Sequence, residues 1–274
     1  MESTTTSDRE TQAGTRALKK TLLLRRVHEK IRTPVPLFRI LHRNEEKFKC
    51  PICGYAGPFA NFNSYVGVRK HAMCPQCVGL ERHRLQYLTM KEPLSTFNGR
   101  DDTRMLHIAP EPFFKQMFRQ QFTKYETADL FMEGVDHRVD ICNMPFEDAA
   151  YDFVFASHVL EHVQDDRRAI KEIRRVLRPN GIAILPVPIV SDKTVEYFKS
   201  NPFEEGHVRA PGPDYFGRYK EHFCRVEVYS STAFPGEYQL FVHEDRSMWP
   251  SAECPLRPSM QGTKHIDLVP VCYA

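Results

Sequence analysis

From residue 104 onward, short apolar runs alternate with longer stretches of amphipathic period. RMLHIA (104–109), YETADLF (125–131), YDFVFAS (151–157) and GIAILPVPI (181–189) are apolar or β-branched runs bounded by polar and turn-forming residues, the pattern of strands. Between the first two, PEPFFKQMFRQQF reads as a helix. After the third, DDRRAIKEIRRVLRPNG puts Ile170, Ile173, Val176 and Leu177 on one face before the helix-ending Pro179-Asn180-Gly181. Strand, helix, strand, helix predicts a parallel sheet covered on both faces, with ligands bound beyond the carboxyl ends of its strands. Further on, CRVEVYSS is expected as another strand, and HIDLVPVCYA fits a last one better than EYQLFVHE. The Pro-rich SMWPSAECPLRPSMQG between them reads as a long loop.

Upstream the pattern differs. Residues 1–14 are polar and predict a disordered leader. In TRALKKTLLLRRVHEKIR (15–32), Leu18, Leu22, Leu23, Val27 and Ile31 recur with basic residues between them, predicting an amphipathic basic helix. Packing on the body with a solvated basic face is its plainer role, and contact with RNA or an anionic lipid surface the sharper one. Pro34 and Pro36 are expected to end that helix and open a connector running to residue 47. The run GLERHRLQYLTMKEPL (79–94) is helical by pattern, with Leu80, Leu85, Leu88 and Met90 on its apolar side. Arg82, His83 and Arg84 within it could read a polar substrate or salt-bridge to the neighbouring domain. The expected organisation is a leader (1–14), basic helix and connector (15–47), a cysteine module with its helix (48–92) and a main domain (100–274).

Two Cys-Pro-x-Cys pairs, Cys50/Cys53 and Cys74/Cys77, carry the strongest local signal, with 20 residues between Cys53 and Cys74. Each is a tight turn pointing two thiolates at one tetrahedral ion, so the spacing reads as a structural Zn2+ site with no open position for a catalytic water. Redox or disulfide chemistry is the alternative, which two pairs at this separation rarely serve. Cys142, Cys224, Cys254 and Cys272 are scattered, and with the thiolate site they predict a reducing, cytoplasmic setting. No stretch is long and apolar enough to span a bilayer. A net charge of +3, from 38 Lys and Arg against 35 Asp and Glu, is too small to imply nucleic acid by itself.

The predicted strand ends hold the informative polar residues. Asp129 closes YETAD, where a carboxylate can accept from both hydroxyls of a ribose, or simply cap the next element. Asp140, opening DICNMPF, is placed to meet an exocyclic amine, with Met144 and Phe146 offering an apolar wall. Ser157 and His158 end YDFVFAS. With LHIAPE, TADL, DICNMPF, YDFVFASHVLEHV and EIRRVLRPNGIAIL in this order, roughly residues 48–230 resemble class I S-adenosylmethionine-dependent methyltransferases, in particular a subgroup with an N-terminal zinc ribbon. The resemblance implies a Rossmann-like seven-stranded sheet whose last strand is inserted antiparallel. It also implies cofactor contacts at His107, Ala109, Glu111, Asp129, Asp140, Ile141, Ser157 and His158. One departure stands out: the usual glycine-rich first loop is His107-Ile108-Ala109-Pro110-Glu111 here. Either the turn takes another route with Glu111 near the cofactor ammonium, or cofactor binding is impaired.

His158-Val-Leu-Glu161-His162 also spells the H-x-x-E-H of a zinc-peptidase class. That pattern belongs inside a long helix, whereas here it directly follows a buried strand. His162 and Glu161 otherwise read as helix-surface and packing residues. For methyl transfer the candidate bases are His158 and, in GHVRAPGPDYFGRY, His207 oriented by Asp214, with Arg209 and Tyr215 contacting the acceptor. A polar loop closed by its own salt bridges reads equally well for that segment. The expected reaction is methylation of a modest-sized polar acceptor: a saccharide, a nucleotide conjugate or a secondary metabolite. Oxygen is favoured because no amine-methylating N/D-P-P-aromatic tetrapeptide is present. RNA-base methylation and a non-catalytic binding module with a degenerate cofactor site are the competing readings.

Overall fold

The computed structural model describes residues 34–64, 67–247, 251 and 262–274. The leader and the basic helix expected over 15–32 lie outside the described residues, as does most of the Pro-rich loop. Contacts divide the chain between Glu45 and Glu46. In the first unit, helix α1 (Val35–Leu41) begins where a connector was expected. Pro36 lies in its first turn, where no intrahelical N–H is required, so proline starts this helix.

The second unit opens with a small ribbon. Strands β1 (Phe48–Lys49) and β2 (Ala56–Gly57) pair antiparallel around the first cysteine turn, and β3 (Ala60–Ser64) pairs antiparallel with β4 (Gly67–Met73). After the second cysteine turn comes α2 (Glu81–Ser95). The main sheet follows, with β5 (Arg104–Ile108), α3 (Pro112–Gln121), β6 (Lys124–Asp129), β7 (His137–Arg138), β8 (Tyr151–Ala156), α4 (Asp166–Val176) and β9 (Leu177–Ile184). A hairpin of β10 (Val195–Asn201) and β11 (His207–Ala210) stands apart from the sheet. Then come β12 (Arg225–Ser230), the short pair β13 (Val242–His243) and β14 (Lys264–His265), and β15 (Leu268–Tyr273).

The sheet order is β12-β15-β9-β8-β5-β6-β7. β5 through β9 run parallel to one another, and β15 is antiparallel to both β9 and β12. This is the Rossmann-like seven-stranded sheet with its last strand inserted antiparallel. HIDLVPVCYA supplies that strand and CRVEVYSS the sixth, while the two-residue β7 is too short to announce itself by alternation. α4 ends at Val176, before the expected Pro179-Asn180-Gly181, which instead forms the irregular start of β9. A Cβ on Gly181 would lie 2.9 Å from the Arg178 carbonyl oxygen, so glycine is needed where the chain doubles close on itself.

Alternate residues of each strand feed opposite faces of the sheet. Leu106, Ile108, Val154 and Ala183 face α4 through Ile170, Ile173 and Val176. Met105, Phe153, Phe155, Ile182, Val269 and Val271 face the other way, against Phe114 and Phe118 of α3 and Leu85, Met90 and Leu94 of α2. Each such side chain contributes about 1.5–3 kcal/mol by leaving water. The helix after the ribbon is therefore a layer of the main core. Arg84 at its first turns is fully buried. Its guanidinium donates to the carbonyls of Ala72 and Gly79 at 2.9 Å each, Tyr238 at 2.9 Å and Gln239 at 2.6 Å, and lies 4.4 Å over the Phe59 ring. Every side of it is used structurally, which removes Arg84 as a substrate reader.

Candidate cofactor and acceptor site

Register sets the site. Ile108 pairs with both Ala128 and Ala156, and Asp129 with Arg138, so β5, β6, β7 and β8 end at one level. Just beyond β5, Ala109 takes a φ of 48° and donates its N–H to the Ala128 carbonyl at 2.8 Å. That is the left-handed conformation glycine adopts freely and that costs alanine about 1–2 kcal/mol. The first loop thus keeps a glycine-like turn without glycine.

Glu111 stands at the N-cap position of α3 without capping it through its side chain, and is mostly buried. Its Oε1 lies 3.0 Å from His83 Nε2 and accepts from Arg82 Nη2 at 3.2 Å, while Oε2 is buried with no hydrogen-bond partner. The Leu80 N–H donates to His83 Nδ1 at 3.0 Å, which leaves the proton on Nε2, facing Glu111. Burial alone would push the Glu111 carboxyl up, but the His83 bond and the Arg82 charge hold it well below the ordinary range. His83 itself is pushed down by burial and by Arg82, so the imidazole donates in its neutral form. The loop therefore presents a fixed anion with one oxygen to spare. Nearby on α2, Gln86 Nε2 donates to Ser157 Oγ at 3.0 Å beyond β8, and Gln86 Oε1 is left unpartnered. The salt bridges allowed to Arg82 and His83 toward the neighbouring domain are thus present, both on Glu111, whereas Gln86 was not singled out by the sequence. Its only signal was a polar residue at a helical position that the apolar stripe should have filled.

Asp129 spends Oδ1 on its own loop, accepting from the N–H groups of Phe131 and Met132 at 2.7 Å each. This turn sets Leu130, Phe131 and Met132 outward, Phe131 being 78% exposed, an apolar surface beside a carboxylate. Asp140 accepts from the Cys142 N–H at 2.8 Å and is exposed, with Ile141 buried beneath it. Met144 is buried in the core and Phe146 stacks edge-on against Tyr151, so neither forms the free apolar wall expected of them. His107 also departs from expectation. It points into the aromatic layer of Phe118, Tyr125 and Phe155, with Nδ1 2.9 Å from Tyr125 Oη, so it is a core residue and not a cofactor contact.

On the acceptor side, His158 has a φ of 55° and its N–H donates to the Pro186 carbonyl at 2.9 Å. Its Nδ1 is 3.3 Å from Glu161 Oε1. Residues Leu160–His162 form a single three-residue 3-10 turn, so H-x-x-E-H does not sit in a long helix. The structure brings His207 to this turn, its ring 4.7 Å from that of His162 and edge-on to it. Asp214 is not beside His207: its Oδ1 accepts from the Thr194 N–H at 2.7 Å and the Thr194 hydroxyl at 2.9 Å. Arg209 is buried, donating to the carbonyls of Leu160, Val163 and Gln164, and Tyr215 is buried with its hydroxyl 2.6 Å from Asp166. Arg209 locks the hairpin to the body and Tyr215 anchors the turn that follows it, which replaces the acceptor contacts expected of them.

In the ribbon, Cys50 Sγ lies 3.6 Å from Cys77 Sγ and Cys53 Sγ lies 3.7 Å from Cys74 Sγ. A disulfide would bring sulfurs to about 2.0 Å. The edge of an S4 tetrahedron with 2.3 Å bonds is about 3.8 Å, which these separations match. The residue after each second cysteine takes positive φ, Gly54 at 75° and Val78 at 58°, so the two turns are built alike. The donor set is four cysteine sulfurs.

The strand order and the loops at its carboxyl edge define the class I methyltransferase fold. Residues 105–185 match the family described as "Methyltransferase domain". Similar proteins include an uncharacterized 37.1 kDa protein in transposon TN4556 of Streptomyces fradiae, 40% identical over 21% of this chain and 17% of that one. Another is ajmaline N-methyltransferase of Rauvolfia serpentina, 28% identical over 46% of this chain and 44% of that protein. The matched stretches thus span less than half the length of either relative. A solved S-adenosylmethionine-dependent methyltransferase from Archaeoglobus fulgidus overlaps 72% of this chain and 95% of its own at 15% identity, with a TM-score of 0.46. Among the described residues no helix is long and apolar enough to cross a membrane.

Proposed function

We propose that the protein transfers a methyl group from S-adenosylmethionine to a modest-sized polar acceptor, with a structural Zn2+ on Cys50, Cys53, Cys74 and Cys77. The observation that carries the cofactor assignment is Glu111, a buried anion with one unpartnered oxygen directly after a left-handed turn at the end of β5. That oxygen would take the cofactor's ammonium, Asp129 Oδ2 and Asp140 the ribose and adenine ends, and Leu130–Met132 the apolar ring face. When bound, the cofactor supplies an electrophilic methyl on sulfur. This chain's residues hold the acceptor in line, exclude water and remove its proton. His158, at the end of β8, is the base best placed by its strand.

Oxygen is the favoured target because the amine-methylating tetrapeptide is missing, and a relative named for N-methylation makes nitrogen its competitor. Calorimetric titration of the zinc-loaded protein with S-adenosylmethionine tests the reading. Micromolar binding that Glu111→Gln and Asp129→Ala weaken supports it. No binding by well-folded wild type would sink it and leave the methyltransferase fold as a non-catalytic module.

A further inference from the structure

Glu161 is the most anomalous side chain in the acceptor region. It is fully buried, and neither of its carboxylate oxygens has a hydrogen-bond partner. A carboxylate so placed costs several kcal/mol unless a positive centre compensates it. The groups around it are imidazoles. Ligand atoms of Glu161, His162 and His207 all lie within 4.8 Å of one another, and His158 Nδ1 stands 3.3 Å from Glu161 Oε1.

We propose that Glu161, His162 and His207 form a site for a divalent transition-metal ion, separate from the four cysteines. Two imidazoles and one carboxylate are a donor set suited to zinc, iron or cobalt, and three protein ligands leave coordination positions open. Metal–ligand bonds of about 2.1 Å bridge ligand atoms up to roughly 4.2 Å apart, so closure asks only for small rotamer adjustments. The backbone is already fixed for it. Arg209, two residues after His207 on β11, donates to the carbonyls of Leu160 at 2.6 Å, Val163 at 2.7 Å and Gln164 at 3.1 Å. One buried guanidinium therefore holds the strand bearing His207 across the turn bearing Glu161 and His162. His158 then orients the carboxylate from outside the ligand set, as outer hydrogen-bonding groups do at metal sites.

The site lies just past the end of β8. On the methyl-transfer reading, on which this clause rests, an acceptor hydroxyl bound at an open position would lose its proton more readily. The class of acceptor this favours is one that can chelate, with two neighbouring oxygens.

The test is a titration of the full-length, zinc-loaded protein with Co2+, which outranks manganese and iron(II) at nitrogen–oxygen sites and is read by paramagnetic NMR. One equivalent should bind, giving shifted imidazole N–H resonances and no thiolate-to-cobalt charge-transfer absorption. Glu161→Gln and His207→Ala should each weaken binding at least tenfold. Glu161→Gln should also melt no lower than wild type without added metal, since it removes a fully buried charge that faces only imidazoles, and it should lose the stabilisation that Co2+ gives wild type. His162→Ala, at an exposed position, repeats the affinity test with little risk to folding. Folded wild type that takes up no Co2+ at millimolar concentration, or binding that these substitutions leave unchanged, overturns the site. Neither readout needs S-adenosylmethionine, so the metal site and the methyl-transfer reading can fail independently.

Discussion

His83 Nε2, on the helix that leaves the ribbon, stands 3.0 Å from Glu111 Oε1, on the loop that leaves the first strand of the sheet. A residue six positions past Cys77 thus sets the orientation of the carboxylate proposed to receive the cofactor. Removing the imidazole should leave Glu111 folded but unaimed. His83→Ala is expected to weaken S-adenosylmethionine binding by about tenfold, the worth of one hydrogen bond to a charged group, and Glu111→Gln by more. Calorimetry on both variants checks the order. Equal affinity in His83→Ala and wild type would mean the contact is incidental.

Ala109 predicts a sharp asymmetry between two small changes. Ala109→Gly relieves the left-handed strain and loosens the unfolded chain by a similar amount, so stability should move by less than about 1 kcal/mol. Ala109→Val places a β-branched residue at φ 48° and should cost about 2 kcal/mol or more. Urea unfolding of the two variants measures both.

The core imidazole of His107 gives a pH signature. Burial pushes it down to about 3, so the folded protein declines a proton that the unfolded chain accepts below about 6.5. Stability must then fall as pH drops through that window, by about 2 kcal/mol between pH 7 and pH 5 from this residue alone. His107→Gln should flatten that part of the profile. An unchanged slope in denaturant melts at the two pH values would show that His107 is not the group responsible.

Zinc removal should reach the sheet. Cys74→Ser is expected to lower bound zinc to well under one equivalent and, by releasing the start of α2, to reduce cofactor affinity with it. Metal content and calorimetry on the same sample decide the point. Normal affinity in the zinc-poor protein would mean that α2 holds its place without the ribbon.

The sheet was legible because its strands are apolar runs on a regular beat, and the cysteine pairs because metal geometry demands their spacing. The two-residue β7 carries too few residues to show any period. The end of α4 was placed at a Pro-Asn-Gly that the chain instead uses to enter β9. The acceptor region was half legible: His158 and His207 were picked out, but Asp214 was chosen as partner for its nearness in sequence. The carboxylate that meets His207 is Glu161, 46 residues earlier and read as a packing residue. Likewise Tyr215 and Arg209 carry the polar character of a substrate loop, yet their partners, Asp166 and the carbonyls after Leu160, lie more than 40 residues away. No local pattern encodes such pairs.

Arg84 has a consequence for anyone who would transplant or trim this protein. Its guanidinium ties three separate backbone segments together through four carbonyls, and the helix it sits on covers Phe153, Phe155 and Ile182. A chain begun at residue 100 would bare that aromatic face, and a ribbon grafted from elsewhere would have to bring both the arginine and the leucine stripe with it. The cysteine module behaves as masonry in the wall of the domain, and swapping it means rebuilding the wall.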